Sequence, residues 1–291
     1  MQVPPPAILP TVAATAPRVA ATRCDWVWPV LGAVVAVDAV WLVAARIGIE
    51  PRSLALELLA VGFLLGVALV YRRTGRSARL AHLGDACAQL VTFGVALELL
   101  SYLVTRTGLP LADDALLHAD RALGFDWFAW TAAAHADPRL AWALVAAYNS
   151  LLPQLVVAVM VLALYRGATQ LLRRLVLSGL ATVVISGLVP AVGLLPGAPH
   201  VPHFLALRAD TLREIDLTRL EGLISFPSYH AALAVIVGHA LWEVPYLRLP
   251  ALLLNLVMLV ATISEGGHYL VDVLAGCAVA AGAIALTPTR R

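Results

Sequence analysis

Two histidines and an aspartate carry the chemistry this sequence offers. In "GGHYLVDV", His268 and Asp272 stand four residues apart, so on a helix they share one face, one turn apart. A carboxylate placed there accepts the imidazole Nδ1–H, fixes the tautomer and leaves Nε2 free as a base or nucleophile. In "FPSYHAAL", Pro227 ends an extended segment and Ser228 suits the cap of a helix start. That start would present free backbone N–H groups and a positive dipole end, a ready anion site. His230 lies in its first turn, within reach of the leaving oxygen of a phosphate held there. Taken singly, each motif has a plainer reading: an incidental His–Asp pair, or a capped helix with an interfacial histidine. Taken together they supply the nucleophile, orienter, general acid and oxyanion stabilisers that covalent phosphoryl transfer requires. Gly266 and Gly267, just before His268, add a flexible turn that can approach a ligand closely.

The elements that must position these residues are apolar helices. Of the 291 residues, 61% are hydrophobic and 13% charged, against roughly 25% charged in a soluble domain. The mean hydropathy is +0.86. The expected class is an all-α integral membrane protein. Apolar runs of bilayer-crossing length fall near 26–47, 54–71, 84–105, 139–165, 171–195, 226–245, 249–265 and 268–288, about eight transmembrane helices. The Pro- and Ala-rich residues 1–22 lack an apolar h-region and read as a disordered tail, not a cleaved signal peptide. Cys24, Cys87 and Cys277 have no metal or redox spacing and read as packing residues. A net charge of +2 gives no sign of nucleic-acid binding.

All 20 basic residues are arginine, and their placement sets an orientation. Arg72, Arg73, Arg76 and Arg79, then Arg166, Arg173 and Arg174, then Arg290 and Arg291 fall on one side of an eight-span chain. That side is cytoplasmic by the positive-inside rule, with both termini inside. The opposite loops lean acidic: Asp113, Asp114, Asp120, Asp126 and Asp137 in one, Asp210, Glu214, Asp216 and Glu221 in the other. "FPSYH" and "GGHYLVD" then open two different helices on the same, extracytoplasmic face. Two outer loops are long. The first, about 106–138, holds "LGFDWFAWTAAAH", which suits either an interfacial helix or a loop helix packed on the bundle. The second, about 196–225, has the composition of a cap over that face. Asp38, Glu98, Asn149, Gln154 and Asn255 lie inside spans and need partners. Glu98 and the "YNS" of Tyr148 to Ser150 either pair between spans three and four or glue helices together.

"PSYH" followed by "GGHYLVDV" resembles the second and third signature motifs of the type-2 phosphatidic acid phosphatase superfamily. The resemblance implies a six-helix core over 84–288 and two additional N-terminal helices within 23–80. It implies His268 as nucleophile, Asp272 as its orienter and His230 as the acid that protonates the leaving group, with no metal or other cofactor. The wording "FPSYHAA…ATISEGGHYLVDVLAG" is most similar to the branch containing inositol phosphorylceramide synthases. Ser228, Tyr229, Gly267, Glu265, Thr262, Arg208 and His200 are the candidate substrate-binding residues.

Departures from the superfamily pattern sharpen this reading. Its phosphatases carry a Lys and an Arg in a first motif, and a Ser-Arg pair seven and six residues before the nucleophile. Here those two positions are Ala261 and Thr262, and the upstream stretch "LLPGAPHVPHF" offers His200 and His203 but no Lys or Arg. Arg208, then Arg213, are the nearest cations, with solvated loop charges as their plainer meaning. A phosphodiester carries one negative charge and a terminal monoester nearly two, so fewer fixed cations suit the diester. The expected activity is therefore transfer of a phospho-head-group from a membrane lipid to an alcohol or lipid acceptor, with Glu265 either binding acceptor hydroxyls or facing water. The alternatives are a phosphatase acting on phosphatidate or a polyprenyl pyrophosphate, and a non-catalytic lipid-binding or transport protein.

Overall fold

A computed structural model of the chain describes residues 26–165, 167–193 and 200–288. The proposed N-terminal tail lies outside the described residues, as do Cys24, Arg166, Arg290 and Arg291. Helices α1 (Val27–Ala45), α2 (Pro51–Thr74) and α3 (Ala78–Thr105) lead into two loop helices, α4 (Asp113–Ala122) and α5 (Trp127–Ala136). Then come α6 (Pro138–Asn149), α7 (Leu151–Tyr165), α8 (Thr169–Leu188) and the short α9 (His200–Arg208). The chain closes with α10 (Tyr229–Leu241), α11 (Arg248–Glu265) and α12 (Leu270–Leu286).

Every one of the eight apolar runs is helical, the fourth as two helices, α6 and α7, so the protein is an all-α integral membrane protein, as its composition indicates. Helices α1, α2, α3, α8 and α11 are each long and apolar enough to cross a bilayer, and α6 with α7 forms a sixth span bent by 43°. The bend has a local cause. Pro153 sits in the first turn of α7, and its ring excludes the carbonyl of Asn149 four residues back. The apolar α10 and α12 are shorter, with 13 and 17 residues.

Small and β-branched residues surround α10 on every side, and Ala231, Ala232, Ala234, Ile236 and Val237 are all fully buried. A helix apolar all round belongs in the interior, and α10 packs against α7, α8, α11 and α12. Helix α2 instead exposes Leu58, Leu59 and Phe63, the surface expected to face lipid tails. Polar glue joins spans: Asn255 donates to Gln154 Oε1 at 2.9 Å, and Trp28 Nε1 donates to Asp85. The suggested pairing of Glu98 with "YNS" is not made. Asn149 and Ser150 bond to carbonyls of their own helix, and Glu98 lies close enough to Glu221 for their charges to interact.

The two long loops fold over one end of the bundle. In the first, Asp126 caps α5, and Trp127 is buried with its Nε1 donating to the Ile263 carbonyl at 2.9 Å. Phe128 points outward, so α5 packs one face on the bundle and leaves the other free. The second loop is stitched to the start of α2 by a two-residue parallel strand pair, β1 (Gly48–Ile49) with β2 (Glu214–Ile215), a small addition to an otherwise helical fold. Leu217 N–H also donates to Ser53 Oγ.

Candidate active site

The two motifs meet. Ser228 caps α10 by accepting the Ala231 N–H, and its own N–H donates to the Asp272 carbonyl at 3.0 Å. This backbone-to-backbone approach needs Gly276, one turn after Asp272. A Cβ there would collide with the Ser228 carbonyl oxygen and crowd the Ala231 methyl. The starts of α10 and α12 are therefore held together by their own main chains, and the histidine of each is presented to the same space.

His268 is 6% exposed and Asp272 fully buried. The imidazole Nδ1 faces Asp272 Oδ2 at 3.4 Å, so Nδ1 carries the proton and Nε2 is left with its lone pair. The same carboxylate oxygen accepts the Ser225 hydroxyl at 3.1 Å and the Tyr269 N–H at 3.0 Å, and so also caps its own helix. Oδ1 has no hydrogen-bond partner among the described residues. Opposite stands His230, its ring stacked on Tyr148 with centroids 4.4 Å apart and planes 7° from parallel. No described residue hydrogen-bonds the His230 ring, and it lies close enough to His268 for their charges to interact.

The glycine pair between α11 and α12 serves two separate needs. Gly267 has φ +64°, where a side chain would be strained. Gly266 has an ordinary φ, but a Cβ would meet the Thr262 carbonyl at 2.7 Å, the His268 ring at 2.8 Å and the Tyr148 ring at 3.1 Å. The turn is thus packed tightly between the nucleophile candidate and the aromatic ring that supports His230.

The remaining sequence-nominated residues are placed as follows. Tyr229 turns away from His230 and donates its hydroxyl to the Leu175 carbonyl on α8. Thr262 is fully buried and bonds back to the Met258 carbonyl of its own helix. Glu265 does not project freely into water: its Oε1 lies 3.2 Å from His135 Nε2 on α5 and accepts the Ser264 hydroxyl. The other ring nitrogen, His135 Nδ1, lies 2.9 Å from the Thr131 carbonyl, one turn back on α5. His200 Nε2 donates to the Val192 carbonyl. His203 Nδ1 shares a 2.6 Å hydrogen bond with the Tyr102 hydroxyl, whose oxygen also receives the Glu221 N–H. Arg208 is spent on the carbonyls of Leu109 and Gly108, and Arg213 shares Asp210 with Arg106. Those arginine hydrogen bonds hold the Asp210 carboxyl below its usual range.

Two further carboxylates converge on this region without having been nominated from sequence. Asp120 accepts the N–H groups of Leu270 and Val271 at 2.8 and 2.9 Å. Asp113 accepts the Tyr269 hydroxyl at 2.9 Å and the N–H groups of Val192 and Gly193. Their spacing of seven, with Leu116 and Leu117 between them, puts all four on one helical face. That was a readable pattern, but nothing in the sequence names the helix start it serves.

A family model described as the PAP2 superfamily matches residues 114–286, a stretch that contains both histidines, Asp272 and Asp120. No curated protein and no solved structure matches the chain significantly. Since that family match spans more than half of the chain, the protein belongs to the PAP2 superfamily of type-2 phosphatidic acid phosphatases, multi-pass membrane enzymes of the phosphatase type acting on lipid phosphates.

Proposed function

We propose that the protein is a phospho-head-group transferase of the inositol phosphorylceramide synthase-like branch, working through a phosphohistidine intermediate at the extracytoplasmic face. The observation that carries this reading is the convergence of His268, oriented by Asp272, with His230, while Arg208 is engaged elsewhere. In the first half-reaction His268 Nε2 attacks the phosphorus of a membrane phosphodiester. The N–P bond forms, the ester P–O bond breaks, and His230 gives its proton to the departing lipid alcohol. In the second, the acceptor hydroxyl yields its proton to His230 and attacks phosphorus, and the P–N bond breaks to restore His268. Asp272 stabilises the imidazolium character that His268 gains on bonding to phosphorus.

A singly charged diester asks for less fixed positive charge than a monoester dianion, and the α10 start supplies helix-end N–H groups instead. The test compares two reactions of purified protein in detergent, with His268→Ala as control. One is phosphate release from phosphatidic acid or a polyprenyl pyrophosphate. The other is head-group exchange from phosphatidylinositol to ceramide or diacylglycerol. Exchange without phosphate release, lost in the variant, is expected. Release without exchange would make the protein a lipid phosphatase, and neither activity would leave a binding or transport role.

A further inference from the structure

The loop helix α4 lies outside both signature motifs, yet one whole face of it is devoted to the segment carrying the nucleophile. We infer that α4 is a splint for His268, and that Asp113 and Asp120 are positioning residues which act on it through the chain on either side of Tyr269. The inference rests on the reading of His268 as nucleophile.

Asp120, fully buried, holds the first two N–H groups of α12 and so fixes the axis along which Asp272 and His268 are displayed. Asp113 grips the hydroxyl of Tyr269, the residue next to His268, whose own side chain is 1% exposed. The same Asp113 carboxylate accepts from Val192 and Gly193. Gly193 in turn lies against the Gly267 carbonyl and the Ser225 side chain, each at the distance where an added Cβ would crowd it. Between the two carboxylates, Leu116 packs with Ala191 and Tyr269. One turn of chain, Gly267 to Val271, is thereby hydrogen-bonded from its side-chain side and its N–H side, with Gly193 packed close against its carbonyl side. Ser225, which donates to Asp272, belongs to the same cluster. Free movement of that turn would change the long 3.4 Å approach of His268 to Asp272 before anything else.

The experiment uses the full chain in detergent and the variants Asp113→Asn, Tyr269→Phe and their combination. Tyr269→Phe deletes one hydroxyl and keeps the packed ring, so it tests the link even if Asp113→Asn fails to fold. Each single variant is expected to lower kcat roughly 10- to 100-fold, the scale of a small misplacement of reacting groups, with KM changed less than about threefold and the melting temperature retained. The double variant is expected to be no slower than the slower single, because the Tyr269 hydroxyl acts only through Asp113. Binding of orthovanadate, which takes the trigonal-bipyramidal shape of phosphorus in transfer, should weaken in parallel. Unchanged kcat in a folded Tyr269→Phe variant, or losses that multiply in the double, would overturn the splint while leaving the nucleophile. A wild type that neither turns over lipid nor binds orthovanadate would instead remove the nucleophile, and the splint with it.

Discussion

Asp272 is the residue on which the most contacts of the site depend. Its Oδ2 accepts from a hydroxyl, a backbone amide and the His268 ring, and its carbonyl holds the Ser228 N–H. Removing a carboxylate of this kind loses hydrogen bonds worth about 1.5–3 kcal/mol each and leaves buried donors unpaired. Asp272→Ala is therefore expected to abolish turnover and also to lower the melting temperature. His268→Ala should abolish turnover while leaving melting nearly unchanged, because only one long contact is lost. His230→Ala should fall by roughly 10²–10⁴ in kcat, the usual worth of a general acid, and Tyr148→Phe should stay near wild type because the stack on His230 survives. Both histidines and Asp272 were legible from residue type and spacing. The engagements of Arg208 and Glu265 were not, since each is decided by a neighbour on a distant segment, Leu109 and His135.

Helices place these residues by close approach more than by side-chain contact. Gly276 lets α10 and α12 touch main chain to main chain, and a Gly276→Val change would drive the valine into the Ser228 carbonyl. Overpacking of this kind costs about 1–3 kcal/mol or more. The variant is expected to lose activity and thermal stability together, measured by melting in detergent and turnover on the same sample, whereas Gly282→Val, where an added Cβ meets nothing within 4 Å, should change neither. All eight apolar runs could be read from hydropathy because lipid demands long uninterrupted helices. The division of the fourth ahead of Pro153 could not, because a proline inside an apolar run is also compatible with a continuous, kinked span until its partners are known. The loop helices were harder still: "DDALLHAD" reads as surface charge until its carboxylates meet the N–H groups of α12, 150 residues away.

For the whole molecule, the arginine-rich loops and the loop layer over the site occupy opposite ends of the bundle, as alternating spans require. The positive-inside rule then predicts a cytoplasmic arginine-rich end and an extracytoplasmic site. With Cys24, Cys87 and Cys277 replaced, Arg121→Cys should react with a membrane-impermeant maleimide on intact cells, and Arg76→Cys only after permeabilisation. The reverse pattern would place the site in the cytoplasm. The claim on which everything else stands is a covalent bond between phosphorus and His268, and the most direct measurement is to trap it. Protein mixed briefly with radiolabelled phosphatidylinositol, quenched and digested, should carry acid-labile label on the peptide containing His268. That label should be absent from His268→Ala. Label on another residue, or turnover without any label while His268→Ala remains active, would contradict the mechanism.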